Sequence, residues 1–318
     1  KETHFLAQWS YPNRIMRAAK WCTAQSNNVQ LVQMTSFGCG PDAFMVDEVR
    51  DLMLRHNRAY TQLKLDDINN IGSMKLRVRS LVESLKIANN IRENIATQEF
   101  VSTPNYSKQY RGRKIIVPFF TPFISPLIPS VLRVAGYDVE SLPMSNEESS
   151  EYGLKYANNE VCYPATLIIG DVIKALKSGK YSPSQIAVGI TQTGGQCRAS
   201  NYLPMLKKAL VDAGYSDVPV IALTLGAGIE NDQPAFKINW IKILPIALRA
   251  VLYSDCINKF YHAALVRETY KGAALELRNQ YLQLGTELIE GGQSSELIEH
   301  LRLIAEDFNS ICDDTKHP

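Results

Sequence analysis

At 318 residues, with 45% hydrophobic and 21% charged positions, the chain is long enough for two ordinary domains and apolar enough to bury a substantial core. A net charge of +2 without a Lys/Arg run gives no electrostatic case for nucleic acid, and no apolar run approaches the roughly 18–20 residues of a membrane helix. Six cysteines are too few for a disulfide scaffold, and Lys1-Glu2-Thr3-His4 opens without a signal-peptide pattern, so a reducing cytoplasm and a piece excised from a longer chain are expected.

In chain order, Phe5 to Gln8 reads as a short strand and Asn13 to Cys22 as a helix entered through Tyr11-Pro12. Val29 to Met34 reads as a strand running into the loop that holds Cys39. Pro41-Asp42 opens a helix on which Ala43, Val46, Val49, Leu52 and Met53 recur at helical spacing. Tyr60 to Leu65 alternates like a strand. Asp66 to Asn70 forms a turn-and-cap cluster before a long helix from about Ser73 to Glu93. The rhythm is that of a parallel sheet covered by helices.

From Ile95 to Arg113 the chain is polar and aperiodic, which marks a domain boundary. Beyond it come a strand over Lys114 to Phe120, a helix over Leu127 to Val134 and a short strand over Val139 to Leu142. A polar loop through Asn146 to Ser150 follows. Then come a helix from Pro164 to Ser178, a strand from Ile186 to Thr191, a helix from Leu203 to Ala213 and a strand from Val218 to Leu225. Gly136 and Gly214 each stand in Ala-Gly-Tyr after a helix, where a left-handed residue suits the reversal. After Gly228 three helices are predicted, Ile238 to Phe260, Ala263 to Leu284 and Ser294 to Ile311, broken at Gly285 and Gly291-Gly292. The fold class expected is α/β: two Rossmann-like doubly wound parallel-sheet domains, 1–105 and 106–230, with a helical region over 231–318 packed on them.

Three cysteines occupy comparable places. Cys39 lies in Ser36-Phe37-Gly38-Cys39-Gly40-Pro41-Asp42, Cys162 in Asn159-Glu160-Val161-Cys162-Tyr163-Pro164, and Cys197 in Thr193-Gly194-Gly195-Gln196-Cys197-Arg198. Each is placed at a helix start, two of them directly after a strand, where backbone N–H groups and the helix field favour anions and thiolates. In open α/β sheets ligands collect at that end. Cys22, Cys256 and Cys312 sit within or at the ends of helix patterns and read as structural.

The three loop cysteines are 123 and 35 residues apart, which fits no compact zinc-finger or ferredoxin spacing. Thiolates suit iron–sulfur or zinc, and a three-cysteine set leaves one metal corner open. Cys197 alone as a reactive thiol, and Gly194-Gly195 holding a phosphate without metal, remain alternatives, as does a non-catalytic scaffold that binds a partner through the helical tail. Arg198 is a candidate to balance a cluster's charge or to hold a phosphate. Asn201 and Tyr202 are candidate donors to sulfide. Asp66-Asp67 could supply acid–base chemistry or bind a metal, but the favoured reading has one of them capping the following helix, and no histidine is assigned a catalytic role. Tyr106, Tyr110 and Tyr152 near the domain junction could line a cleft, the default for each being a tyrosine in an exposed loop.

Tyr156 to Ala165, Thr191 to Arg198, Ser36 to Asp42, and Leu65 to Gly72 with Arg77 and Arg79 resemble the dehydratase-like module of the large activase-related proteins of the 2-hydroxyacyl-coenzyme A dehydratase group. The resemblance spans about residues 10 to 225. It implies that Cys39, Cys162 and Cys197 hold a [4Fe–4S] cluster between two α/β domains for low-potential electron transfer, oxygen-sensitive and open to loss in aerobically prepared protein. It implies an acyl-coenzyme A substrate, a lyase-type dehydratase/activase system and an ATP-dependent activator on another domain or chain. No Walker-type phosphate loop is present in this sequence.

Overall fold

The computed structural model describes residues 10–35, 42–65, 71–90, 99–158, 161–191, 202–223, 233 and 235–313. The strand expected over 5–8 lies outside them. The first elements are α1 (Ser10–Thr23), β1 (Leu31–Thr35), α2 (Asp42–Arg55), β2 (Tyr60–Lys64) and α3 (Ile71–Asn90). Strands β1 and β2 pair in parallel, Leu31 opposite Tyr60 through Thr35 opposite Lys64. Buried Arg58 fastens the turn after α1: its guanidinium donates to the carbonyls of Gln25, Ser26 and Val29 and to Asn27 Oδ1.

Next come β3 (Lys114–Val117), α4 (Ile128–Val134), β4 (Val139–Ser141), α5 (Glu147–Tyr156), α6 (Tyr163–Lys177), β5 (Ile186–Thr191), α7 (Tyr202–Asp212) and β6 (Val220–Leu223). These strands form a four-stranded sheet in the order β4-β3-β5-β6, with β3 parallel to both β4 and β5. Ile115 to Val117 and Ile186 to Ile190 are buried, as continuous apolar runs in parallel sheets require. β3 stops three residues earlier than the sequence suggested because Pro118 has no N–H to give to a neighbouring strand. Gly136 and Gly214 take φ +90° and +84°, as expected of helix-ending glycines.

The loop predicted through Asn146 to Ser150 is instead the start of α5. Asn146 Oδ1 accepts from the Ser149 N–H while Ser149 Oγ accepts from the Asn146 N–H, a reciprocal cap that starts a helix without apolar period. α5 and α6 lie antiparallel at backbone contact. A Cβ on Gly170 would sit 1.7 Å from Ser149 O, and one on Gly153 would sit 2.0 Å from Thr166 O.

The C-terminal helices are α8 (Trp240–Leu265), α9 (Ala273–Glu290) and α10 (Glu296–Ser310). The break predicted near residues 261–262 lies further on, after Leu265. There Glu268 accepts from the Gly272 and Ala274 N–H groups and caps α9. Gly285 does not break a helix. It lies inside α9, where a Cβ would come 2.7 Å from the Tyr253 ring. Tyr253, Ile257, Leu282, Ile304 and Phe308 close a core with Leu127, which caps the start of α4.

The protein is thus mixed α/β with parallel sheets and a helical C-terminal region. It packs as two units. One comprises 1–105, 146–184 and 190–233, and the other 106–145, 185–189 and 234–318.

Candidate functional site

The described part of the site lies in the first unit, where α6 begins. Cys162 is the N-cap residue of α6, with extended backbone (φ −67°, ψ 150°), and its carbonyl accepts from Ala165 and Thr166. Pro164 follows in the first turn, where its missing N–H costs nothing. The thiol is partly exposed, and Cys162 Sγ lies 3.5 Å from Tyr202 Oη. Tyr202 is the first residue of α7 and is buried. The contact therefore ties the start of α6 to the first residue of α7.

A second link reaches α2. Asn158, just past α5, donates through Nδ2 to Asp47 Oδ1 at 3.1 Å. Burial raises the Asp47 pKa from the ordinary carboxylate range to about 6, against the lowering influence of Arg50 and Lys208. Lys208 on α7 bonds Asp51 at 3.1 Å and Asp212 at 2.8 Å. Burial works against its charge, yet those carboxylates raise its pKa overall. The helices that follow the three cysteine-bearing segments, α2, α6 and α7, are thereby joined by polar contacts within one unit.

The thiols read as structural behave so. Cys22 is buried and donates to Val29 O at 3.6 Å, Cys256 to Leu301 O at 3.6 Å and Cys312 to Phe308 O at 3.2 Å. A carbonyl can accept from S–H but has nothing to give a thiolate. The hydroxyl beside Cys162 can do either. Burial also pushes the Cys256 thiol up, away from the reactive form.

Cys39, Cys197, Gly194, Gly195, Arg198, Asn201 and the Asp66-Asp67 pair lie outside the described residues. Among the described residues no group of three or more His, Cys, Asp or Glu side chains could hold a metal ion, and no helix is long and apolar enough to cross a membrane. Tyr106 is buried and lines a cavity instead of standing in an exposed loop. The Asn158–Asp47 and Lys208–Asp51 contacts have no counterpart in the sequence reading. The available signal was a carboxylate at position 47, inside the apolar face built from Val46, Val49, Leu52 and Met53. Comparison with protein-family models, with curated proteins and with solved structures gives no match for this chain.

Proposed function

We propose that the chain is an iron–sulfur module related to the 2-hydroxyacyl-coenzyme A dehydratases and their activators. In this reading Cys39, Cys162 and Cys197 hold a [4Fe–4S] cluster between two Rossmann-like doubly wound α/β domains, with Gly194, Gly195 and Arg198 beside it. The observation that carries the reading is the setting of Cys162: a partly exposed thiol at a helix start, 3.5 Å from a tyrosine hydroxyl able to donate to a thiolate. Such a donor is what a metal-bound sulfur needs from its surroundings, so the described donor fits the group.

Strand order adds support. The sheet order β4-β3-β5-β6 reverses direction between β3 and β5, and ligands of open parallel sheets bind outside the carboxyl ends at such a reversal. Residues 192–201, which carry Gly194, Gly195, Cys197 and Arg198, follow directly on β5.

When bound, the cluster would supply one-electron chemistry and an open iron corner for a substrate oxygen. The chain's own part would be to hold the thiolates, donate to Cys162 through Tyr202 and balance charge with Arg198. The partners proposed are an acyl-coenzyme A and an ATP-dependent activator, in the cytoplasm. The test is anaerobic reconstitution of the whole chain with iron and sulfide, followed by iron and sulfide analysis and the thiolate-to-iron absorbance. Wild type should take up about four irons, the [4Fe–4S] content the reading assumes. The Cys39→Ala/Cys162→Ala/Cys197→Ala protein should take up none while keeping its circular dichroism. Equal uptake by both, or none by wild type, defeats the reading and favours a scaffold.

A further inference from the structure

The second unit carries a cavity of about 370 Å³ at the amino ends of β3 and β4. Its walls are the segment 106–113 and the turn 135–138, closed by Lys237. Both wall segments turn at glycines with left-handed backbone, Gly112 (φ +88°) and Gly136 (φ +90°), and a Cβ at either would meet nothing within 4 Å. Tyr137 holds the third segment: its hydroxyl accepts from the Lys237 N–H at 2.7 Å and donates to Lys237 O at 3.0 Å. Phe236 packs against the Tyr137 ring at 4.6 Å and meets the Tyr106 ring edge-on at 6.3 Å. The volume lies in the range of small-molecule sites.

Three cations line this space, Arg111, Arg113 and Lys237, against one carboxylate, Asp138. Asp138 is itself matched by Lys114 Nζ at 3.7 Å. Arg113 is anchored, with its guanidinium 4.6 Å over the Tyr110 ring and Nη1 donating to Ile186 O. Arg111 and Lys237 are exposed, and their side-chain nitrogens pair with none of the described residues. Tyr106 is 1% exposed, yet its hydroxyl has no hydrogen-bond partner among the described residues. That hydroxyl is not among the fully buried polar atoms left unpaired, so it opens onto the cavity, where a bound anion can accept its proton in place of water.

We propose that this cavity binds a small organic phosphate monoester, its phosphate held by Arg111, Arg113 and Lys237 and accepting the Tyr106 hydroxyl. Three cations against one carboxylate leave an excess of two positive charges, and a phosphate monoester carries about −1.5 to −2 at neutral pH. Guanidinium groups give phosphate paired, directional donors, and Lys237 adds a point charge. The space beyond the phosphate is walled by Tyr106 and Tyr137 and suits a flat organic group. None of these residues belongs to the segments around Cys39, Cys162 or Cys197, so the proposal stands apart from the iron–sulfur reading.

The test is calorimetric titration of the whole chain at low ionic strength with AMP, inorganic phosphate and adenosine as probes. AMP should bind, inorganic phosphate should displace it, and adenosine should bind at least ten-fold more weakly than AMP. Arg111→Gln/Lys237→Gln, two exposed changes that leave the fold intact, should weaken AMP at least ten-fold. Tyr106→Phe should weaken it several-fold without lowering the melting temperature, because the hydroxyl has no partner to lose among the described residues. The proposal is overturned by absence of AMP binding at millimolar concentration, by adenosine binding as tightly as AMP, by failure of phosphate to compete, or by a double variant that binds AMP like wild type.

Discussion

Gly170→Ala tests whether the α5–α6 contact positions the candidate thiol. The added methyl carbon would lie 1.7 Å from Ser149 O and 2.9 Å from Gly153 N, whereas ordinary contact begins at 3.4 Å. The shortfall of 1.7 Å is against backbone atoms, which cannot rotate aside, and Ser149 and Thr166 are buried. The helices must part. Overpacking of this kind costs about 1–3 kcal/mol, and a backbone-to-backbone clash belongs at the upper end, about 3 kcal/mol. For a unit of this size each kcal/mol moves the melting temperature by about 2–4 °C, so a fall of about 6–12 °C is expected. Because Cys162 caps α6 between the two helices, its alkylation rate should rise in the same variant. Gly179→Ala is the control: it has φ +76° and open space, so it should cost only the strain of its backbone, about 1 kcal/mol. If Gly170→Ala melts no lower than Gly179→Ala, the close approach does not hold the hairpin and the reasoning fails.

Removing the Arg58 guanidinium takes the Gln25 carbonyl's donor and one of two donors from the Ser26 and Val29 carbonyls, which keep the Val29 N–H and the Cys22 thiol, so Arg58→Ala should cost about 1.5–3 kcal/mol in urea unfolding. Arg58→Lys should recover only part, having lost the planar fork. Asp47, with its folded pKa raised to about 6 from 3.8, binds a proton in the folded state that the unfolded state has released between those values. Its contribution is therefore fully present below about pH 4 and lost as pH rises through about 6, and Asp47→Asn should stabilise the protein at pH 7 by up to about 3 kcal/mol. Melting curves of the two proteins should converge near pH 4, and a gap that persists there would contradict the assignment. Tyr253 donates to Tyr281 O at 2.7 Å in the helical core. Tyr253→Phe should cost about 1–2 kcal/mol by chemical denaturation, with little change in circular dichroism.

The strands were legible where burial on both faces writes an unbroken apolar run, as in Ile186-Ala187-Val188-Gly189-Ile190. α5 was not, because the side it presents to α6 is made of Ser149 and Gly153. A contact built on missing side chains leaves no hydrophobic period to read. Gly285 misled for the same reason: its value is the room it leaves for Tyr253, and glycine in sequence looks the same whether it ends a helix or lets another pass close by. In the candidate site the position of Cys162 at a helix start was legible from Tyr163-Pro164 and the apolar run beyond. The Asn158–Asp47 bond joins residues 111 apart and depends on tertiary packing that no local pattern encodes.

What separates Cys162 from the other described thiols is the polar group each one meets. Cys256 and Cys312 face main-chain carbonyls that reward only the protonated form, and ionising either would turn a hydrogen bond into a repulsion. Cys22 has Arg58 Nη2 at 3.9 Å as well as a carbonyl, so a donor is present, but the residue is 2% exposed and shut away from any ligand. Cys162 combines partial exposure with a neighbour whose proton can point either way. Tyr202→Phe therefore separates a ligating thiol from one that merely packs. If Cys162 ligates, the variant should still take up iron and sulfide, but the reduction potential should move, because a hydrogen bond to a ligating sulfur tunes it. An unchanged potential in a fully loaded variant would show that the tyrosine hydroxyl does not address a bound sulfur, and would remove the observation on which the assignment of Cys162 rests.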